Sequence, residues 1–416
     1  MDDSYLDVTE GYVDECKITE MQYHSFLPYS NTALSKNDEI RICIQNMDSF
    51  TLPCHSYIYI EGVVNIPTDA TAGIGKFSFT NNALAFLFSE MRYEINGVEI
   101  QKLKSPGISS SLKGYCSFTP NDTYELENAL WDLKIEEKQI APDKNMFAGC
   151  LPLKHLFGFC EDYKKIILNC NQQLILNRAS TDCDALYVTG DGVKENHEKN
   201  KRVKIELSKV IWKMPVIRVS DKEKLKLLKV VDSRKSLACA FRTWHLSEYP
   251  VLPQNTSHSW TVKSSSLLEK PRFVIIGFQT DRKNTLLNSS GRFDHCNLKN
   301  LKVHLNSEVY PYEDFRVNFA KNMFAVLYKS YTDFQKSYYD KEQSEPLLSK
   351  DNFQKHAPII VVDLSHQNDA VKSSTVDLRI EFETESPIPT NTAAYCLILH
   401  DQIITYNPFS GDVRKL

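Results

Sequence analysis

The sequence has little glycine, no paired-cysteine motif and no long apolar run. Glycine occupies 14 of the 416 positions, against 21 phenylalanines and 20 tyrosines. The apolar runs are far too short to cross a bilayer, so we predict no membrane span. The net charge of −4 and the absence of a strongly basic half argue against direct, sequence-specific binding of nucleic acid.

The eleven cysteines are scattered, odd in number and free of any C-x-x-C spacing. This pattern excludes the usual zinc motifs and a disulfide framework. Cys150, Cys160 and Cys170 are spaced ten residues apart, but no histidine cluster accompanies them. We therefore predict no metal and no cofactor, and we expect most cysteines to be small buried side chains in a reducing compartment.

No catalytic motif survives inspection, so we predict no catalytic residue. Residues 70–77 resemble a phosphate-binding loop only in Gly75-Lys76, and Phe77 replaces the serine or threonine that would hold magnesium. Residues 107–111 lack the second glycine of a nucleophile elbow.

Two further groups of reactive residue types are near one another in sequence. One combines imidazoles with a thiol and the other pairs two carboxylates: His295, Cys296 and His304, and Asp281 with Asp294. A nucleophile pair needs a third group that orients its base, and nothing in the sequence marks one. The absence of a recognisable catalytic motif in so long a chain favours a structural or binding role.

One short stretch occurs twice in similar form. Residues 91–100, MRYEINGVEI, match residues 301–310, LKVHLNSEVY, with an offset of 210 positions. In the first copy Asn96-Gly97 separates two alternating segments, which predicts a β-hairpin with a type I′ turn. Asn306-Ser307 is a poorer turn pair at the same place in the second copy. The spacing fits duplication of a whole β domain.

The remaining pattern is dominated by short alternating segments rich in aromatic and β-branched residues, which favours sheet. The strands predicted in addition to the two hairpins are 39–45, 55–66, 76–80, 149–159, 165–168, 173–176, 185–188, 203–207, 210–216, 238–245, 257–262, 272–280, 358–364, 376–383 and 393–406. Residues 81–90 fit either a strand or a helical turn. About eight strands per half is the number found in a jelly roll.

Helices are predicted between the strands. Residues 107–118 begin as a short helix, 124–139 form a helical excursion, and 190–204 form a polar loop. Residues 220–233 have the pattern of an amphipathic helix, with Ser220 as N-cap and Glu223 completing a capping box. Apolar residues at helical spacing predict a long helix near 312–339.

The predicted organisation is an N-terminal arm, two β domains and a helix that links them. The arm spans residues 1–30, the first jelly roll 31–218, the linker helix 219–235, and the second jelly roll 236–416 with its long helix and a C-terminal tail. The predicted fold class is therefore all-β, with two tandem eight-stranded antiparallel jelly rolls and helical insertions.

Residues 81–113 resemble the double jelly-roll proteins of Polinton or Maverick elements, which are virus-like transposable elements of animal genomes. The resemblance rests on FLFSE at 86–90, RYEINGVEI at 92–100, and Pro106-Gly107-Ile108 with Leu112-Lys113. Residues 305–312 and the predicted helix after them resemble the second domain of these proteins. The resemblance extends from about residue 38 to 406.

The resemblance implies a major capsid protein of a virus or virus-like element. In that class two jelly rolls stand side by side, and three chains form a pseudo-hexagonal capsomer of an icosahedral shell by self-assembly. The implied partners are further copies of the chain, neighbouring capsomers and a minor or penton capsid protein. The implied location is the virion, after synthesis in the reducing host cytoplasm and assembly there or in the nucleus, without secretion.

Two other readings stay open at this point. One is a β-sandwich module that binds carbohydrate or protein, a class that includes capsid-derived proteins domesticated by a host. Such a module would expose aromatic residues on one sheet, but the four tryptophans are not grouped in sequence: Trp131, Trp212, Trp244 and Trp260. A hydrolase built from two jelly rolls would need two convergent acids in a cleft.

Overall fold

The computed structural model describes residues 16–29, 34–45, 49–66, 75–131, 140, 145–190, 197–262, 271–306, 308–366 and 377–416. The strands in these ranges are β1 Ile18–Phe26, β2 Glu39–Ile44, β3 Phe50–Thr51, β4 Tyr57–Asn65, β5 Lys76–Phe79, β6 Phe88–Ile95, β7 Val98–Lys104, β8 Met146–Pro152, β9 Gln172–Arg178, β10 Leu186–Thr189, β11 Lys204–Val219, β12 Leu237–Tyr249, β13 Ser257–Val262, β14 Pro271–Thr280, β15 Leu298–Leu305, β16 Glu308–Tyr310, β17 Ile360–Asp363, β18 Leu378–Thr384, β19 Thr392–Tyr406 and β20 Val413–Lys415. The helices are α1 Ala83–Phe86, α2 Pro106–Ser117, α3 Thr123–Asn128, α4 Gly158–Asp162, α5 His197–Asn200, α6 Asp221–Asp232, α7 Ala325–Tyr339 and α8 Lys350–His356.

The first half forms two antiparallel four-stranded sheets. One has the order β1-β11-β4-β8 and the other the order β2-β9-β6-β7. With the eight strands lettered B to I along the chain, these orders are B-I-D-G and C-H-E-F. That is the strand order of a jelly roll. The alternation in β2 shows why it packs: Ile40, Ile42 and Ile44 are buried, while Glu39 and Arg41 face solvent.

The second half repeats this arrangement with eight consecutive strands. Its sheets have the orders β12-β19-β14-β17 and β13-β18-β15-β16, again B-I-D-G and C-H-E-F. Strands β3, β5, β10 and β20 are additions to this plan, and β5 pairs with β10 in a small sheet of their own. The two tandem antiparallel jelly rolls of the predicted fold class are confirmed.

The repeated stretch forms strands E and F in both halves. In the first copy Ile95 pairs with Val98, and the turn residues Asn96 and Gly97 have φ of 49° and 79°. Positive φ at both positions is what a type I′ turn requires, so the predicted hairpin is confirmed. In the second copy Leu305 pairs with Glu308, and Ser307 lies outside the described residues.

The predicted arm over residues 1–30 is wrong for Ile18–Phe26. These residues form strand B of the first jelly roll and pair with β11, from Phe26 opposite Trp212 to Ile18 opposite Val219. The alternation that marks a half-buried strand is absent because most side chains of β1 are exposed on both faces. Residues 1–15 lie outside the described part of the chain.

The predicted long helix is wrong for its first half. Helix α7 begins at Ala325, and no helix or strand forms in residues 312–324. In this segment Phe315, Val317 and Phe319 are buried at a spacing of two, whereas helical packing would follow a spacing of three to four. Both spacings fit the same apolar residues in the sequence, and tertiary contacts select the extended one.

Three other predictions need correction. The predicted strand 149–159 ends at Pro152, after which the chain forms a short 3₁₀ turn and α4. Residues 165–168 form only an isolated bridge, between Ile167 and Thr51. Ser220 is the N-cap residue of α6, but its side chain makes no capping hydrogen bond, so the capping box is not formed.

The remaining predicted segments are confirmed only in part or lie partly outside the described residues. Residues 81–90, which fitted either a strand or a helical turn, contain both, since the helical turn α1 is followed by strand β6. The excursion at 124–139 is helical only over α3, and residues 132–139 lie outside the described part. The polar loop at 190–204 contains α5, with residues 191–196 undescribed. No helix in the described ranges is long and apolar enough to cross a bilayer.

Three histidines, of which His400 is buried and His155 and His356 are half-buried, make the stability of this fold dependent on pH. Burial lowers the pKa of His400 to about 4, that of His356 to about 4 and that of His155 to about 3, from 6.5. The unfolded chain therefore binds protons below pH 6.5 that the folded chain does not, so stability falls as pH falls towards 4. Each pKa unit corresponds to about 1.4 kcal/mol, so His400 alone contributes a loss of about 3 kcal/mol by pH 4.

We predict that the free energy of unfolding in urea decreases steadily between pH 6.5 and 4. The measurement is a urea titration followed by circular dichroism at several pH values in that window. The control is His400→Leu, which removes one of the titrating groups and should give a shallower decrease. A stability that stays constant across the window would contradict the prediction.

Candidate functional site

The sequence predicted no catalytic, cofactor or metal residue, so the site is sought where the structure brings distant charged side chains together. One such group, among the residues that the structure describes, lies at the junction of the two jelly rolls. Helices α2 and α4 of the first jelly roll contact β12 and α7 of the second there. The group combines two ion pairs, Lys113 with Glu161 and Arg242 with Asp162, with further hydrogen bonds and four aromatic rings, and it borders a cavity.

Lys113 of α2 is the buried centre of this group. Its Nζ donates to Glu161 Oε1 at 3.1 Å, to Ser117 Oγ at 2.8 Å and to the hydroxyl of Tyr339 at 2.7 Å. The Tyr339 hydroxyl in turn donates to Glu161. The same Nζ lies 5.2 Å from the ring centroid of Trp244. Burial lowers the pKa of Lys113, although the Glu161 carboxylate opposes that shift.

Arg242 of β12 forms the second tie across the junction. Its Nε lies 2.9 Å and its Nη2 2.5 Å from the two carboxylate oxygens of Asp162, which is a bidentate pair. The guanidinium carbon lies 3.8 Å from the ring centroid of Tyr338, and Nη1 donates to the Tyr338 carbonyl. Burial lowers the pKa of Arg242, but the hydrogen bond and charge of Asp162 outweigh it, so the pKa is raised overall.

Apolar packing and backbone contacts surround this charged group. The rings of Phe159 and Phe241 pack edge to face at 5.3 Å. Tyr115 donates from its hydroxyl to the Gly291 carbonyl at 2.7 Å. A Cβ on Gly158 would overlap the carbonyl oxygen of Arg242, so the two backbones meet with no room for a side chain.

A cavity of about 350 Å³ opens beside Lys113. Its lining is half apolar and carries charges of both signs: Lys113, Lys154 and Lys341 with Asp122, Glu125, Glu161 and Glu345. A glycosidase would need two carboxyl groups aligned across such a cleft. Glu161 is instead held by Lys113 and Tyr339. A lysine with a shifted pKa in a cleft is a functional-site signal, but here all three of its donors are taken up by protein groups. The arrangement therefore favours a structural role, in which Lys113 links the two jelly rolls.

The weak candidates from the sequence are not brought together. His304 lies 2.9 Å from Glu381, whereas His295 stacks on Phe319, and burial raises the pKa of Cys296 to about 12. Asp294 forms a bidentate pair with Arg282. Asp281 accepts from the Asn391 side-chain amide at 3.0 Å. Residues 70–74 of the glycine-rich loop lie outside the described part, and Lys76 begins β5.

The cysteines make no cluster either. All eleven are free thiols, and the three that are ten residues apart have different neighbours: Cys150 lies by Asn128, Cys160 by Cys54 and Cys170 by Asn96. Among the described residues, no group of three or more cysteine, histidine or acidic side chains could hold a metal ion. Sequence reasoning missed the Lys113 group because its partners lie up to 226 positions away.

Residues 77–404 match the family model described as "Double jelly roll-like domain". The chain belongs to this family. A comparison with curated proteins finds no matching sequence. The family assignment agrees with the paired B-I-D-G and C-H-E-F sheets in both halves of the chain.

Solved structures share this fold over nearly the whole chain. The VP54 protein of PBCV-1, fitted into a reconstruction of the virophage Sputnik, has a TM-score of 0.59 at 11% identity, covering 95% of this chain and 96% of that one. The mavirus major capsid protein has a TM-score of 0.57 at 11% identity, with coverage of 99% and 92%. The Faustovirus major capsid protein has a TM-score of 0.56 at 9% identity, with coverage of 95% and 92%.

We predict that Arg242→Met lowers the free energy of unfolding by about 3 kcal/mol, because the largely buried Asp162 carboxylate loses its charged partner and keeps only the backbone N–H of residue 242. The measurement is urea denaturation at neutral pH. The matched control is Arg272→Met, which removes a pair with Asp401 of similar length, 2.7 Å against 2.5 Å, at an exposed site. That control should cost less than about 1 kcal/mol. Equal losses in the two variants would contradict the account of the junction.

We predict that Gly158→Ala separates or unfolds the junction, because its Cβ would overlap the Arg242 carbonyl oxygen. The expected result is a lower melting temperature and a first unfolding transition that precedes the second in calorimetry. The control is Gly97→Asn at the open type I′ turn, where asparagine accepts positive φ. A Gly158→Ala protein that melts like the parent chain would contradict the prediction.

Proposed function

We propose that this protein is the major capsid protein of a virus or virus-like element of the Polinton or Maverick kind. Three copies form a homotrimeric capsomer with a pseudo-hexagonal outline, and capsomers assemble into an icosahedral shell. Its role is structural and not enzymatic. The Polinton assignment is supported by the residues of the first E–F hairpin and the α2 segment that resemble those elements.

The observation that carries this proposal is the duplication of one jelly roll within a single chain. Two units with the same strand order stand side by side, joined by the Lys113 and Arg242 contacts. Three such chains present six similar units around one axis, which suits hexagonal packing of a closed surface. The fold shared with the mavirus and Faustovirus major capsid proteins supports the same proposal.

The proposed partners are copies of this chain, neighbouring capsomers and a minor or penton capsid protein. The proposed location is the virion, after synthesis in a reducing host cytoplasm. The eleven free thiols support synthesis in a reducing compartment. Eight of them are buried, Cys43 and Cys150 are half-buried, and Cys16 is exposed. The proposed domains are those of the sequence prediction, with β1 added to the first jelly roll.

The runner-up is a binding module for carbohydrate, which would use aromatic side chains exposed on a sheet. All four tryptophans are buried: Trp131, Trp212, Trp244 and Trp260. Tyr23 is the observation that keeps this alternative, because it is half exposed on β1 and packs beside Tyr57 with ring centroids 5.4 Å apart.

We predict that the purified chain has a molar mass of three times 47.8 kDa in light scattering, and that this mass resists dilution. The physical reason is that a closed ring buries two contacts per chain, so loss of one chain breaks two contacts. Negative-stain microscopy of concentrated samples should then reveal shells or hexagonal sheets. A monomer at micromolar concentration would contradict the capsomer, and glycan binding would then be screened with Tyr23→Ala as control.

A further inference from the structure

The outer faces of the two B-I-D-G sheets are covered to different extents. In the second jelly roll Phe273–Gln279 of β14 and Thr392–His400 of β19 are buried without interruption, so both faces of that sheet are covered. In the first jelly roll β4 alternates, with Ile58 and Ile60 buried and Tyr57 and Tyr59 only partly buried. The second sheet is covered on both faces along these strands. In the first sheet β4 is fully buried on one face only, although Met214–Ile217 of β11 are buried without interruption.

Within the chain, the first jelly roll supplies the cover for the second. Helix α2, which directly follows strand F, packs against β14 and β19. A Cβ on Gly277 of β14 would lie 3.0 Å from Leu112 Cδ2 of α2, and Tyr115 packs against Phe293 with ring centroids 6.3 Å apart. The segment after strand F of one jelly roll therefore lies on the B-I-D-G sheet of the next.

The two B strands show the same contrast. In the second jelly roll, Phe241 and Trp244 of β12 are buried against Phe159 and Lys113 of the first. In the first jelly roll, β1 occupies the same position beside strand I, yet it is exposed along its length. Five of the exposed large apolar side chains lie on or just after it: Ile18, Met21, Tyr23, Leu27 and Tyr29.

The second jelly roll has an exposed apolar surface at the position that corresponds to α2. The segment after its strand F, residues 312–326, exposes 93% of Tyr312, 59% of Met323 and 59% of Val326. These side chains border an open cavity of about 930 Å³. Residues 312–326 of the second jelly roll correspond in position to α2, and the outer B-I-D-G face of the first jelly roll corresponds to the sheet that α2 covers. Each jelly roll therefore exposes apolar side chains on one of the two surfaces that make the contact within the chain.

We propose that residues 312–326 of one copy bind the outer B-I-D-G face of a second copy, centred on Met21, Tyr23, Tyr57 and Tyr59. This contact repeats between chains the one that α2 makes within a chain. It rests on the proposed capsomer and assigns the surfaces that hold it together. Each chain carries one of each surface, so the contact is head-to-tail and closes into a ring when the rotation permits.

The test places one charge in each surface of the full-length chain. Met21→Asp alters the sheet face, and Val326→Asp alters the segment, where aspartate also suits the first turn of α7. The controls are Leu228→Asp and Val251→Asp, because Met21 and Leu228 are both 46% exposed, and Val326 and Val251 are 59% and 61% exposed. Circular dichroism and melting curves verify that all four variants fold.

Light scattering should give trimers for the parent chain and both controls, and monomers for Met21→Asp and for Val326→Asp. An equimolar mixture of the two monomeric variants should give a species of two chains and no larger, because one intact segment meets one intact face and the ring cannot close. This outcome is specific to a head-to-tail contact between these two surfaces.

The failures are distinguishable. A parent chain that is monomeric overturns the proposed function together with this contact. A trimeric parent with trimeric Met21→Asp and Val326→Asp variants leaves the capsomer in place and overturns the assigned surfaces. Two monomeric variants that stay monomeric after mixing overturn the head-to-tail pairing, as do controls that dissociate like the variants.

Discussion

The close approach of α4 to β12 is the contact on which the rest of the structure depends. Gly158 lies against the Arg242 carbonyl with no space for a side chain, and Asp162 at the other end of α4 clamps the Arg242 guanidinium. This contact fixes both the distance and the register between the two sandwiches. Two jelly rolls joined only by the linker helix α6 would be free to rotate, since that helix has no buried residue.

At the junction the charged pairs fix the relative position of the two jelly rolls, whereas apolar packing supplies most of the stabilising free energy. Taking Lys113 out of water is costly, and its pKa falls accordingly, but three acceptors and the surrounding rings admit one position of the ammonium group. An apolar surface of the same size would tolerate sliding. We infer that the buried pairs hold the two jelly rolls in one relative orientation.

The sequence was sufficient for the fold class and for the repeated hairpin, because both follow from local rules. Asn96-Gly97 between alternating segments has one common structure, and a strand buried on one face shows its period directly. Strand β1 could not be found this way, because the period disappears when both faces are exposed. Residues 312–324 were assigned to a helix because their apolar residues fit two periods. The Lys113 group could not be predicted from the sequence, because it joins α2, α4 and α7, which lie far apart along the chain.

Electron cryomicroscopy of the purified protein tests the central claim most directly. The account predicts particles with threefold symmetry and six lobes in end view, with β1 of each chain covered by residues 312–326 of the next. Particles of any other symmetry, or a threefold particle in which β1 faces solvent on the outside, would contradict it.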